Sequence, residues 1–125
     1  MERSIRGLLA QVAVGLSVAG TAVAGDYEPV RERSQFISLI EGRTLQLNLF
    51  RISLAVLPDG RIDGKALGWP VTGSWEWKDG FFCREMDWSG SPIPFNCQLV
   101  EARDGDHMRF TIDRGAGETA TFKLR

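Results

Sequence analysis

The sequence predicts a mainly β fold, an antiparallel meander of about eight strands that closes into a small barrel or sandwich of lipocalin-like architecture. Short runs of alternating apolar and polar residues recur along the chain. Turn signals such as "PDG", "KDG" and "RDGD" separate these runs. No strand pattern alternates with a helical one, which argues against a parallel α/β sheet. One short N-terminal helix and one disulfide complete the prediction.

The first 24 residues are predicted to be a secretory signal peptide, followed by a single β-rich domain over residues 25–125. The segment starts with Arg3 and Arg6, continues as an apolar run and closes on Ala22-Val23-Ala24. We expect cleavage between Ala24 and Gly25, and export to the periplasm of a Gram-negative bacterium or to the medium. A retained membrane anchor is the alternative, although polar residues and glycines interrupt the run.

The distribution of charge argues against several classes of partner. The net charge is −1, and removal of Glu2, Arg3 and Arg6 with the signal peptide changes it to −2. No basic run suggests nucleic acid, and no basic amphipathic helix suggests a membrane surface. We therefore expect no nucleic-acid partner and no stable membrane insertion after cleavage. Nothing in the sequence sets the oligomeric state.

The elements follow from changes in the apolar period. Residues 25–33 form a polar lead-in, and "SQFISLIEG" predicts a short helix with Ser34 as candidate N-cap and Gly42 at its end. The alternating apolar residues shift from odd-numbered to even-numbered positions near Asn48–Phe50, which predicts a turn or bulge there. Eight strands are predicted after the helix. They cover approximately residues 45–49, 52–56, 62–66, 71–77, 81–88, 95–101, 108–112 and 120–124.

The stretch "GSWEWKDGFFCREMDW" contains three of the four tryptophans and is predicted to form one hairpin turned at Asp79-Gly80. Side chains alternate along a strand, so Trp75 and Trp77 share a face, which we assign to the interior. A three-residue loop would place Phe81 and Cys83 on the same inner face. The segment is therefore predicted to combine an aromatic inner face with a charged outer face.

Cys83 and Cys97 are the only cysteines, and in an oxidising compartment they are predicted to form a disulfide. If the two surrounding strands form a hairpin centred on Gly90, the cysteines lie opposite each other. Opposed residues on antiparallel strands are about 4.5–5.5 Å apart, within reach of a disulfide. Closing a loop of about 15 residues contributes on the order of 3 kcal/mol.

No set of residues predicts a catalytic or metal site. "GAGETA" at 115–120 matches a dinucleotide fingerprint, but a predicted strand follows it where a helix is needed. His107 is the single histidine and is expected to face solvent. Glu76, Glu85 and Asp87 share one hairpin and could act as paired carboxylates, but Glu76 is expected on the outer, solvated face. We expect no metal and no cofactor, and we favour a non-enzymatic protein without settling the question of activity.

Trp69, Arg84, Trp88 and Arg109 are the candidate ligand-binding residues. Aromatic rings at the mouth of a barrel would stack on an apolar or sugar ligand. The two arginines would hold an anion beside them. Trp69, which precedes Pro70 in a predicted turn, is expected near the surface. The alternative is that the rings pack in the core and the arginines form surface ion pairs.

The segments "FISLIEGRTL", "LPDGRIDGKALGWPVTGSWEWKDGFFCR", "NCQLVE" and "MRFTIDRGAGETATFKLR" resemble a group of small exported proteins of Rhodobacter-type alphaproteobacteria. The resemblance covers essentially all of residues 25–125. Its most specific parts are G-x-W-x-W-x-D-G-x-x-C-R and N-C-Q. Proteins of this group are often labelled dihydrodipicolinate reductase, a label that implies an oxidoreductase. The resemblance supplies no catalytic residue.

Three hypotheses follow. The leading one is a periplasmic, non-enzymatic barrel that binds a small ligand or an envelope protein. The first alternative is the reductase that the label implies. The second is an inhibitor of a lysozyme-like hydrolase, suggested by a looser likeness to small periplasmic barrels, with "DWSGSPIP" at 87–94 entering the enzyme's cleft.

Overall fold

The computed structural model describes residues 25–125, and the predicted signal peptide, with Ala24, lies outside the described residues. The predicted mainly β fold is confirmed: within these residues, eight antiparallel strands form a closed barrel, accompanied by one helix and one additional strand. The elements are β1 (Glu28–Val30), α1 (Arg33–Ile40), β2 (Leu45–Leu47), β3 (Ile52–Val56), β4 (Arg61–Ala66), β5 (Trp69–Lys78), β6 (Phe81–Trp88), β7 (Ser91–Arg103), β8 (His107–Thr111) and β9 (Thr119–Leu124).

The barrel is a simple meander. Each strand from β2 to β8 pairs with the next strand in the sequence, and β9 pairs back with β2 to close the cycle. β1 lies outside this cycle and pairs with Val100–Ala102 of β7, beyond Gln98, the last residue of β7 that pairs with β6. The interpretation of residues 28–30 as an irregular lead-in is therefore wrong, because this short segment forms a strand by a long-range pairing.

The connections alternate between the two ends of the barrel because each one reverses the chain. The β3–β4, β5–β6 and β7–β8 turns share one end with α1, which we call the helix end. The β2–β3, β4–β5, β6–β7 and β8–β9 connections share the opposite end, which we call the open end. The predicted turn near Asn48–Phe50 is confirmed as a short 3₁₀ turn over Leu49–Arg51.

α1 packs on the helix end and fills it. Phe36 and Ile40 are fully buried, and the Phe36 ring lies 5.0–5.3 Å from the rings of Trp75, Trp77 and Phe82. Among residues 25–125, no helix is both long enough and apolar enough to cross a membrane. The helix therefore closes this end of the barrel, and its buried side chains form part of the hydrophobic core there.

The helix begins two residues earlier than the pattern predicted. Its N-cap is Glu32, whose backbone N–H donates to the side-chain oxygen of Gln35 at 3.0 Å. The proposed N-cap role of Ser34 is wrong, since this residue lies within the first turn. Gln35 at the third helical position satisfies a backbone donor that would otherwise lack a partner, as in a capping box.

The β5–β6 turn contains two residues. Lys78 pairs with Phe81, so only Asp79 and Gly80 lie between the strands. Both have positive φ, 53° and 85°, as the type I′ hairpin turn requires. The hairpin was predicted at this position, but its loop is one residue shorter than the three-residue loop on which the predicted faces of Phe81 and Cys83 depended.

This loop length decides which side chains face the interior. Trp75 pairs directly with Arg84, so these two side chains share the inner face, and Phe82 joins them. The inner-face positions expected for Phe81 and Cys83 are wrong, because a one-residue change in the loop moves every side chain of the strand to the other face.

The disulfide between Cys83 and Cys97 is confirmed. The two residues pair directly across β6 and β7, as predicted. Cys83 also pairs with Glu76, which is exposed, so the bridge lies on the outer face of the barrel. It joins two neighbouring strands of the wall and leaves the interior to other side chains.

Candidate functional site

Two cavities lie inside the barrel toward its open end. The first, which we call the rim cavity, has a volume of about 260 Å³ and an entirely apolar lining. Its wall includes Phe50, Ile52, Leu67, Val71, Trp88 and Ile93. Because these residues come from several strands and two turns, the rim cavity exists only in the closed barrel.

The second cavity, which we call the inner cavity, has a volume of about 240 Å³. Leu54 and Met86 line both cavities, so the two are adjacent lobes of the barrel interior, with these side chains between them. The inner cavity is mostly apolar, but Arg84, Gln98 and Glu118 contribute polar groups. An apolar space with a few polar groups is the usual composition of a small-molecule site.

Two exposed apolar residues form the edge of the rim cavity. Phe50 and Leu67 have exposed fractions of 55% and 41%. Both adopt positive φ, 62° and 53°, and the Leu67 backbone N–H donates to the Phe50 carbonyl at 2.8 Å. Such a conformation costs an ordinary residue roughly 1–2 kcal/mol. Strain of this kind often accompanies a functional site.

Leu67→Asn should raise the free energy of unfolding by about 1 kcal/mol, because asparagine adopts positive φ at a lower cost in this type of turn. Urea unfolding followed by tryptophan fluorescence measures the change. Leu49→Asn is the matched control, since Leu49 is exposed at the neighbouring turn without positive φ. Equal effects of the two substitutions would show that Leu67 stores no backbone strain.

An irregularity in the β6–β7 ladder holds the inward-facing Arg84 side chain at the wall of the inner cavity. Arg84 pairs with Asn96 and Met86 pairs with Ile93, so two residues of β7 oppose one of β6. The carbonyl of Pro94 lies in this bulge and accepts a hydrogen bond from Arg84 Nη1 at 2.8 Å. One end of the guanidinium is thus fixed at the wall.

The charge of Arg84 has no carboxylate partner in the part of the chain that the structure describes. None of the salt bridges over residues 25–125 includes it. Burial lowers the pKa of the Arg84 guanidinium, which nevertheless stays protonated at neutral pH. The inner cavity therefore has a fixed cation with unused N–H donors in its wall.

Gln98 is the second polar group of the inner cavity. Its exposed fraction is only 5%, and it pairs directly with Phe82 across the ladder. Within residues 25–125 its side-chain amide makes no hydrogen bond to another protein group. Gln98 therefore supplies an available donor and acceptor in the lining of the inner cavity, beside Arg84.

The four predicted ligand-binding residues separate in the structure. Arg84 lines the inner cavity and Trp88 the rim cavity, where the Trp88 Nε1–H donates to the Ala66 carbonyl at 3.0 Å. Trp69 is 62% exposed, as expected, beside the rim but not in its lining. The structure therefore brings two of the four candidates to the barrel interior.

Arg109 lies elsewhere, on the outer face near β1. Its Nε–H donates to Glu101 Oε1 at 2.7 Å, and this hydrogen bond raises the pKa of Arg109. The guanidinium also lies over the ring of Tyr27, 4.2 Å from its centroid. These contacts match the alternative interpretation of Arg109 as a surface ion pair.

The structure also locates the other sequence motifs that were considered as functional candidates. Residues 87–94 form the tight β6–β7 hairpin, where Ser89 Oγ donates to the Pro70 carbonyl and the Gly90 N–H to Asp87 Oδ2. "GAGETA" leads directly into β9. His107 Nδ1 lies 2.7 Å from Asp106 Oδ1. Residues 25–125 contain no group of three or more His, Cys, Asp and Glu side chains that could hold a metal ion.

Several residues of the site were not predicted. Phe50 and Leu67 could have been noticed as large apolar residues at turn positions, where polar residues are usual. Gln98 could have been noticed as a polar residue in the alternating series that continues inward with Val100 and Ala102. Met86 offered no such signal, because a methionine on an inner face is ordinary core.

Comparison with known proteins identifies no relative of this chain. No protein-family model matches the chain, and no curated protein or solved structure shows significant similarity to it.

Proposed function

We propose that this protein is an exported, non-enzymatic binding protein whose barrel holds a small, largely apolar ligand at its open end. The observation that carries the proposal is the pair of adjacent cavities beneath the strained apolar residues Phe50 and Leu67. The helix end is filled by Phe36 and its aromatic neighbours, so a ligand enters from the open end.

The size of the space supports a ligand that occupies both lobes. Each cavity alone is smaller than the roughly 300–1,000 Å³ of most ligand pockets. Leu54 and Met86 stand between the two. Methionine has an unbranched, flexible side chain, so a change of the Met86 rotamer can join the lobes when a ligand enters.

The disulfide supports the exported location. Disulfides persist in the periplasm and outside the cell and are rare in the bacterial cytosol. Cys83 and Cys97 form such a bridge on the barrel wall. Together with the signal peptide expected from the sequence, it favours a binding protein that works in the envelope or the medium.

Binding of a neutral, apolar fluorescent probe, N-phenylnaphthylamine, tests the proposal. The disulfide-bonded protein should enhance the probe's fluorescence, and Ala66→Phe should weaken binding by about tenfold or more because the new ring fills the rim cavity. Ala66 lines that cavity. Ala55→Phe is the matched control. Ala55 lies on β3 between the buried Leu54 and Val56, so its side chain points to the opposite, outer face, and the substitution should leave binding unchanged.

Two results would contradict the proposal. One is the absence of probe binding, or equal binding by both phenylalanine variants with native circular dichroism. The other is an activity of a different class: NADPH binding would support the reductase alternative, and inhibition of c-type lysozyme by excess protein would support the inhibitor alternative. Both assays use the same purified protein.

A further inference from the structure

The inner cavity combines a cation and an amide with an apolar lobe beside them, and this combination selects one chemical class of ligand. We propose that the ligand is a single-tailed amphiphilic carboxylate, whose headgroup binds Arg84 and Gln98 and whose tail passes Leu54 and Met86 into the rim cavity. This inference rests on the proposed function, because it names the ligand of the same interior site.

The first argument is the uncompensated charge. A buried or partly buried charge is costly unless it is paired. Glu85 and Asp87 lie on the same strand as Arg84, but their side chains alternate to the outer face. Asp113 accepts a hydrogen bond from the Asn96 amide at 2.8 Å. Glu118 lines the inner cavity but is exposed and forms no salt bridge with Arg84 within the described chain.

The second argument is the geometry of the donors. The guanidinium is planar, and with Nη1 held by the Pro94 carbonyl its remaining N–H groups suit a bidentate carboxylate. Arg84 pairs with Asn96, and Gln98 lies two residues further along β7. Gln98 is therefore the diagonal neighbour of Arg84, at a backbone separation of about 7–8 Å. Side chains of this length can converge on one headgroup between them.

The third argument is the charge of the headgroup. Among residues 25–125, Arg84 is the only cationic residue in the lining of the inner cavity, and Glu118 in the same lining would repel additional negative charge. A monoanion balances one guanidinium, whereas a phosphate ester with up to two negative charges would leave one unpaired. A carboxylate is the simplest monoanion that accepts from both a guanidinium and an amide.

The fourth argument is the position of the apolar space. The rim cavity adjoins the inner cavity through Leu54 and Met86, and its lining has no polar surface. An acyl chain satisfies such a lining, and burial of each methylene contributes about 0.8 kcal/mol. A small polar carboxylate would leave this lobe without a contact, so the tail is part of the recognition.

Titration calorimetry with dodecanoate and with dodecanol, its neutral counterpart, tests this proposal. Dodecanoate should bind wild-type protein more tightly than dodecanol. Arg84→Met should weaken dodecanoate binding by about 10- to 100-fold, the loss expected for a charge-assisted hydrogen-bonded pair. The same substitution should weaken dodecanol binding by a much smaller factor, because a neutral hydroxyl forms no charge-assisted pair with the guanidinium. Gln98→Leu should weaken dodecanoate binding by a smaller factor, roughly three- to tenfold.

Arg61→Met is the control for a general effect of positive charge, since Arg61 lies at the helix end and pairs with Asp59. It should leave both affinities unchanged. Arg84→Met is expected to fold, because it replaces an unpaired, partly buried charge with an apolar side chain. Thermal unfolding of the unliganded variant checks this.

The possible failures are distinguishable. Equal binding of dodecanoate and dodecanol, or equal losses for both on Arg84→Met, would overturn the carboxylate proposal and leave the apolar binding site in place. Absence of binding by both amphiphiles together with N-phenylnaphthylamine would overturn the proposed function itself. A phosphate monoester of the same chain length that binds more tightly than dodecanoate would also contradict the choice of a monoanion.

Discussion

Phe36→Ala should lower the free energy of unfolding by about 3–5 kcal/mol, the usual cost of removing a buried aromatic side chain. Phe36 is fully buried, and its ring contacts those of Trp75, Trp77 and Phe82, with Phe110 at 6.4 Å between centroids. Together with the buried Ile40, it attaches α1 to the barrel. The loss would be a large part of the 5–15 kcal/mol typical of a domain.

Urea unfolding measured by far-UV circular dichroism gives the change for Phe36→Ala. Phe95→Ala is the matched control, because Phe95 is exposed and its removal should change stability by no more than about 0.5 kcal/mol. Comparable losses in the two variants would mean that the helix end does not depend on the Phe36 ring. Phe36→Leu, which keeps most of the volume, should fall between wild type and the alanine variant.

Removal of the disulfide has the second largest expected effect. Simultaneous replacement of Cys83 and Cys97 by alanine should lower the free energy of unfolding by about 3 kcal/mol, because a crosslink restricts the unfolded chain over a loop of about 15 residues. The sequence separation is 14. The bond lies in an already paired hairpin, so the native register of β6 and β7 should persist in the variant.

Chemical denaturation with and without dithiothreitol separates the effect of the crosslink from that of the substitutions. Under reducing conditions wild type should lose stability and approach the double-alanine variant, which should not respond to the reductant. A variant that remained much less stable than reduced wild type would show that side-chain packing of the buried Cys83, and not the crosslink, causes the loss.

The periodicity of the sequence was sufficient to predict the strands and most turns, because apolar and polar residues alternate along each barrel strand and each hairpin carries a turn signal. It was not sufficient for the faces of β6. Phe82 and Arg84 face inward because the Asp79-Gly80 turn has two residues, and the sequence "KDG" is compatible with two or three. This single ambiguity led to the wrong face for Phe81 and Cys83, although the strand itself was predicted at the correct position.

The candidate site was less predictable than the fold. Arg84 and Trp88 were identified, because charge and aromatic content are visible in a sequence. The two cavities result from what inward side chains leave unfilled, and this depends on barrel closure and on the β7 bulge that holds Arg84 through Pro94. β1 was missed because three residues with a central proline have no measurable period, and their strand conformation depends on distant β7.

The pairing of β1 with β7 has a consequence for association between molecules. β7 continues past the end of β6, and a bare segment at Val100–Ala102 would offer unpaired backbone donors and acceptors to a strand of another chain. Glu28–Val30 occupies those positions from within the same molecule, and Pro29 in its centre has no N–H to offer on its own outer edge. The N-terminal strand thus protects the barrel against edge-to-edge aggregation.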